Sequence, residues 1–90
     1  MTEELSEREA SISEDLDYYR RTTCTVIEST RRGKLLSRPQ AAHQMAVSPR
    51  TVRSWEDGDR ELTVAELIVM AERYDEDPVA MFARIARKRK

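Results

Sequence analysis

The sequence predicts an all-α fold of five helices, and three observations predict it. Cap-forming residues recur at helix-start positions, as Ser37 with Gln40, Ser48 with Pro49, Thr63 with Glu66 and Asp77 with Pro78. Apolar residues behind these starts fall three and four apart, the spacing of one helix face. No segment carries a strand signal, and the chain of 90 residues has only two glycines.

Residues 1–12 are rich in glutamate and lack periodicity, so an acidic disordered tail is expected there. Ser13, with Glu14 and Asp15 behind it, suits the start of a first helix. Its inner face is Leu16, Tyr19, Thr23, Ile27 and Thr30, a weak apolar stripe. Gly33 after Arg31 and Arg32 is the expected stop. A second helix is expected from Arg38, opened by a Ser37–Gln40 capping box with Pro39 in its first turn. Ser48 and Pro49 start a third only ten residues later, so the chain must turn near Ala46 and Val47.

Ala41, Met45, Val47, Val52 and Trp55 supply a shared inner face for these two helices, and Ala42 is small enough for close approach. Arg50, Thr51, Arg53, Ser54 and Asp57 then point outward. A fourth helix follows the Thr63–Glu66 capping box, with Val64, Leu67, Ile68, Met70, Ala71 and Tyr74 inward and Val69 exposed. Asp77 and Pro78 open a fifth, whose apolar residues are Val79, Met81, Phe82 and Ile85, ahead of the basic end Arg87 to Lys90.

Composition bounds the function. At 39% hydrophobic and 37% charged, the chain holds one small domain with one modest core and no second, sensory domain. No apolar run approaches the roughly 20 residues of a membrane span, and a signal-peptide layout is missing, so a cytoplasmic protein without membrane contact is expected. Cys24, alone, cannot form an internal disulfide and is expected as a small core residue of the first helix. His43 is the only histidine, which leaves no plausible zinc site, and it is expected on the surface. With no nucleophile–base pairing, no glycine-rich phosphate loop and no metal cluster, neither catalysis nor a cofactor is expected.

The net charge of −1 conceals blocks. Residues 1–17 carry net −6, 18–53 net +7, 54–81 net −7 and 82–90 net +5. A positive block over the first three helices is what neutralising nucleic-acid phosphates requires.

The run Ser37 to Gly58, SRPQAAHQMAVSPRTVRSWEDG, with Arg31 ahead and DGDRELT behind, resembles the lambda-repressor/Cro-type helix-turn-helix family. The match covers roughly Leu16 to Ala86, and its two specific features are the apolar spacing through the turn and the Trp55-Glu56-Asp57-Gly58 ending. The resemblance implies a five-helix DNA-binding domain over residues 13–90 with its helix-turn-helix core at 37–58. It implies double-stranded DNA as partner, the third helix entering the major groove.

By that resemblance Ser48, Pro49, Arg50, Thr51, Arg53 and Ser54 face DNA. Arg50 is placed to read guanine O6 and N7, Arg53 to meet phosphate unless it pairs with Asp57 four residues on. Arg38 matches a phosphate-contacting position. Arg31 and Glu56 match a structural salt bridge in the family. Pro49 and Ala46 depart from it, standing where a polar residue and a glycine are usual. Trp55 falls at a core position. Lys34 and Arg60 are weaker phosphate candidates.

The same resemblance implies a homodimer on an inverted-repeat operator in a bacterial or phage-infected cell, with Met81, Phe82 and Ile85 as the dimerisation surface or, alternatively, as closure of the monomer's own core. A single domain acts by occupancy, so a repressor is the simpler expectation, with activation through the acidic 54–81 block left open. An antirepressor or toxin is a further candidate partner. The competing reading is a protein-interaction module of the same fold, of antitoxin or adaptor type, in which DNA binding is secondary or lost.

Overall fold

The cap positions translate directly into helix starts. In the computed structural model, which describes residues 2–87 and side chains from Arg8 onward, the helices are α1 (Thr2–Gly33), α2 (Arg38–Met45), α3 (Pro49–Asp57), α4 (Val64–Arg73) and α5 (Pro78–Ile85). Among the described residues there is no strand, so the chain is all-α. Ser37 and Thr63 each accept from the backbone N–H three residues on, while Gln40 and Glu66 reach back to the cap N–H, completing both capping boxes. Ser48 and Asp77 cap α3 and α5, each ahead of a proline whose missing N–H would have had no intrahelical acceptor.

The N-terminus departs from the sequence expectation. α1 starts at Thr2, not near Ser13, so residues 2–12, expected as a disordered tail, are helical. Glutamate, leucine, alanine and arginine are good helix formers, and neither Gly nor Pro interrupts the run. Periodicity is weak here because the stretch reaches past the rest of the molecule, and residues 8–14 are exposed. At 1.5 Å per residue, 32 residues span about 48 Å. That length accounts for the 51 Å long axis beside widths of 25 and 20 Å.

The core lies between the second half of α1 and the other four helices. α1 packs on α3 and α5, α2 on α3 and α4, and α4 on α5. Val26 and Ile27 meet Ala41, Trp55, Leu67, Met70, Ala71, Tyr74, Met81 and Ile85, with Leu36, Met45, Val47 and Leu62 packed around them. Thr30 is buried in the α1 stripe because its hydroxyl donates to the Val26 carbonyl at 2.7 Å, which removes the cost of burying it. Leu16 and Tyr19 of the expected stripe stay exposed, as do Val64 and Ile68 of the expected α4 inner face, while Val69 is exposed as expected. Val26, not expected inside, is buried. Cys24 is half-buried at the core's edge; its thiol, pushed up by burial, donates to the Trp55 carbonyl at 3.4 Å.

Four helix ends turn back through one residue in the left-handed region: Leu35, Ala46, Gly58 and Asp75. In each, the next residue's N–H reaches the carbonyl five positions back, as in Leu36 to Arg31 and Val47 to Ala42. Gly33, the expected stop of the first helix, is its last helical residue, and Leu35 makes the turn.

Candidate functional site

α2, the turn at Ala46–Val47 and α3 form a compact unit whose two helices meet through Ala41, Ala42 and Val52, all at or below 1% exposure. Near-absent side chains on α2 let the backbones approach closely. Ala46 sits at φ 56° and ψ 41°, and its N–H donates to Ala42 and His43 carbonyls. The turn has therefore kept the conformation usually given to glycine, at the strain cost of a Cβ, about 1 kcal/mol.

α3 has two distinct sides. Inward are Val52, Trp55 and Glu56. Outward are Ser48, Pro49, Arg50 and Arg53, all exposed, with Thr51 and Ser54 half-buried beside them. Ser48 accepts from the Thr51 N–H, and the two hydroxyls lie 3.0 Å apart. Arg50 makes no ion pair or side-chain hydrogen bond among the described residues. Arg53 lies 3.6 Å from Asp57, the intrahelical alternative to phosphate contact.

Glu56 is the electrostatic centre. Its carboxylate, only 2% exposed, accepts from Arg31 Nε at 2.7 Å and Nη2 at 3.0 Å, while Arg31 Nη1 donates to the Leu36 carbonyl at 2.8 Å. The expected link between the first helix and the end of the third is thus present in bidentate form. The hydrogen bonds to Glu56 push the Arg31 guanidinium above its ordinary value despite burial. Such a pair fixes α3 against α1 more than it adds net stability, because desolvating both charges offsets most of their attraction.

Arg38 differs from expectation in its partners. Its Nε donates to Glu56 at 3.0 Å and its Nη2 lies 3.7 Å from Asp57. It is half-buried, bridging the first turn of α2 to the end of α3, so the guanidinium expected to anchor on phosphate is already engaged by two carboxylates. No local signal marks this contact across 18 residues of sequence; only the folded turn brings the two helix ends together. Asp57 was likewise legible only as a partner for Arg53.

Of the remaining residues, Trp55 is in the core as expected, with the Arg60 guanidinium 5.8 Å from its ring centroid and its own Nε1 buried without a hydrogen-bond partner among the described residues. Arg60 is therefore drawn onto an aromatic face. Lys34 lies 3.4 Å from Glu76. His43 is exposed, as expected. Met81 and Ile85, expected at a dimer contact, are 2% and 8% exposed and close the monomer's own core; Phe82, 52% exposed, remains on the surface. Arg84, which no sequence motif singles out, ties α5 to α1 by donating to Thr30 and Ser29 hydroxyls. Of the basic end, Arg87 is exposed and residues 88–90 lie outside the described residues.

Among the described residues no group of three or more His, Cys, Asp or Glu is placed to hold a metal ion, and no helix is long and apolar enough to cross a membrane. No family model matches the chain, and no curated protein matches it.

Proposed function

We propose that this chain is a sequence-specific double-stranded-DNA-binding transcriptional regulator of the lambda-repressor/Cro type, a repressor acting as a homodimer on an inverted-repeat operator. The observation that carries the reading is α3 itself. It is a capped helix after a tight turn, anchored on its inner side by Trp55 and the Arg31–Glu56 pair, and offering at its outer, N-terminal end Ser48, Pro49 and an Arg50 that has no ion-pair partner among the described residues. A helix held so presents its first turns to the major groove, where a free guanidinium can contact guanine O6 and N7 together. Pro49 offers an apolar contact to a thymine methyl. In this role Arg38 positions α3 through Glu56 and Asp57, and a phosphate must compete with both carboxylates for it.

A selection from random duplexes tests the proposal, since it yields half-site and spacing together. A salt titration on a selected duplex accompanies it: the expected result is a steep fall of affinity with salt. Failure to enrich any sequence, with no salt-dependent binding, overturns the reading. The same result supports the second one, an interaction module of antitoxin or adaptor type. What favours that module is the pairing of Arg38 and Arg53 with Asp57, which removes two of the three cations from the face.

A further inference from the structure

Two carboxylates adjacent in sequence meet the same arginine and are held in opposite ways. Glu56 is buried and takes Arg31 Nε at 2.7 Å and Arg38 Nε at 3.0 Å, contacts that fix the helices against one another. Asp57, with 45% of its side chain exposed, is held loosely: its Oδ1 lies 3.7 Å from Arg38 Nη2 and its Oδ2 3.6 Å from Arg53 Nε. Each oxygen thus faces a guanidinium from a different helix, Arg38 from the first turn of α2 and Arg53 from the outer side of α3. Both separations exceed a hydrogen bond and all three side chains touch solvent, so another anion can displace the carboxylate. Helix stability gives Asp57 no reason to be there, since it is the last residue of α3, where the helix dipole disfavours a negative charge.

We propose that Asp57 is an internal stand-in for a DNA phosphate, and that it limits how tightly this face grips the backbone. The inference rests on the proposed function and adds a regulating residue to that site. A phosphate presents two non-bridging oxygens, as this carboxylate does, and it is the ligand that arginines beside a DNA-facing helix otherwise take. Arg31, Arg38 and Arg53 against Glu56 and Asp57 leave the cluster one net positive charge; without the charge of Asp57 it has two. Arg38 keeps its Nε on Glu56 in either case, so its Nη2 end is already positioned when released. Arg50 is exposed and stands outside this cluster, so its base contact escapes the competition. Binding therefore draws less on sequence-independent attraction, and more on Arg50, than three arginines on one face would give.

Binding of the natural chain and of Asp57→Asn to a selected duplex and to its scramble, over a series of salt concentrations, tests the proposal. Asparagine keeps the shape and removes the charge, and helix content by circular dichroism should not change. Affinity should rise about fivefold on both duplexes, the yield of releasing two exposed ion pairs. The plot of log affinity against log salt should steepen by about 0.9 for each phosphate newly met. Asp59→Asn makes the same change of net charge two residues on and should gain no more than about twofold, because a solvated charge outside the cluster is screened. In an Arg53→Ala background the gain from Asp57→Asn should fall by about half or more, since one of the two guanidiniums is gone. Unchanged affinity for Asp57→Asn, while the natural chain still selects a sequence, overturns the inference and leaves the proposed function standing. An equal gain from Asp59→Asn, or a gain undiminished by Arg53→Ala, refutes it as well, because net charge or plain repulsion then suffices. So does a gain confined to the selected duplex, which would make Asp57 a reader of bases. Should the natural chain select no sequence, a mixed-sequence duplex is used for both chains. Binding by Asp57→Asn alone then supports the inference while denying the natural chain an operator, and binding by neither brings down both.

Discussion

α3 and α5 are built alike and end differently. Each is eight or nine residues long, starts from a capping side chain followed by proline, and buries one side in the same core. α3 shows polar and cationic side chains outward, while α5 shows Val79 and Phe82. The difference teaches that apolar residues at helical spacing mark a candidate face, not a buried one: with so little protein to cover it, a small domain seals one flank of the stripe and leaves the other bare. α3 avoids the ambiguity because its polar side chains leave one apolar side only, and because that side includes a carboxylate needing partners.

The comparison breaks hardest at the inner sides. Glu56→Ala removes the acceptor of Arg31 and Arg38 and strands a buried guanidinium, so a loss of about 3–5 kcal/mol is expected. That is a large share of the roughly 5–15 kcal/mol typical of a domain. Met81→Asp should be as damaging, since it places a charge in the core without a partner. Phe82→Asp, one residue on, should change stability by no more than about 0.5 kcal/mol. Urea unfolding of the three variants checks this, and equal losses for Met81→Asp and Phe82→Asp would erase the distinction between the two sides of α5.

On the outer side of α3, the two arginines should separate. Under the proposed function Arg50→Ala costs about 1–3 kcal/mol on a selected duplex and relaxes preference at one base pair. Arg53→Ala, already shared with Asp57, should weaken all sequences slightly and alike. Anisotropy titrations on matched and mutated duplexes distinguish them; equal, sequence-independent losses would reduce α3 to a phosphate-binding helix.

A smaller effect tests how tightly α4 closes over the ion pair. Burial, with Glu56 nearby, pushes the Tyr74 hydroxyl from 10.0 up to about 12, and Arg31 only partly opposes this. The folded state therefore holds the proton where the unfolded chain has lost it. The stability this represents is complete below pH 10 and disappears as pH rises toward 12. Tyr74→Phe should flatten that part of the stability curve, and an unchanged slope would place the hydroxyl in water.

Much of this architecture was legible locally. Caps fixed the starts of α2, α3, α4 and α5 because a cap is a contact between residues two or three apart, and Ala46 was recognisable as a turn from the restart at Ser48. Family resemblance pointed to Arg31 and Glu56. The engagement of Arg38 was hidden because it depends on where two helix ends meet after folding. Leu16, Tyr19, Val64 and Phe82 show the same limit from the other side, since spacing gives direction around a helix but not whether anything lies opposite. The helicity of residues 2–12 was missed because periodicity reports packing, and an unpacked helix has none to show.

The left-handed helix ends give the finest distinction, because their geometry is shared and only the side chain differs. An L-residue there loses about 1–2 kcal/mol to the clash of its Cβ, while glycine avoids that clash but gives up more entropy on folding, leaving a net gain of about 0.5–1 kcal/mol for replacing the side chain. Leu35 is 88% exposed, so Leu35→Gly sacrifices no packing and should stabilise by that amount. Ala46→Gly should do the same inside the α2–α3 turn. The reverse change, Gly58→Ala, should destabilise by a similar amount through φ alone, since an added Cβ would stand 3.5 Å from the Cys24 sulfur, an ordinary contact. Thermal unfolding should therefore move up for the first two and down for the third. If Ala46→Gly does not stabilise while Leu35→Gly does, the methyl of Ala46 contributes packing that compensates its strain, and the turn between α2 and α3 is built around alanine rather than merely tolerating it.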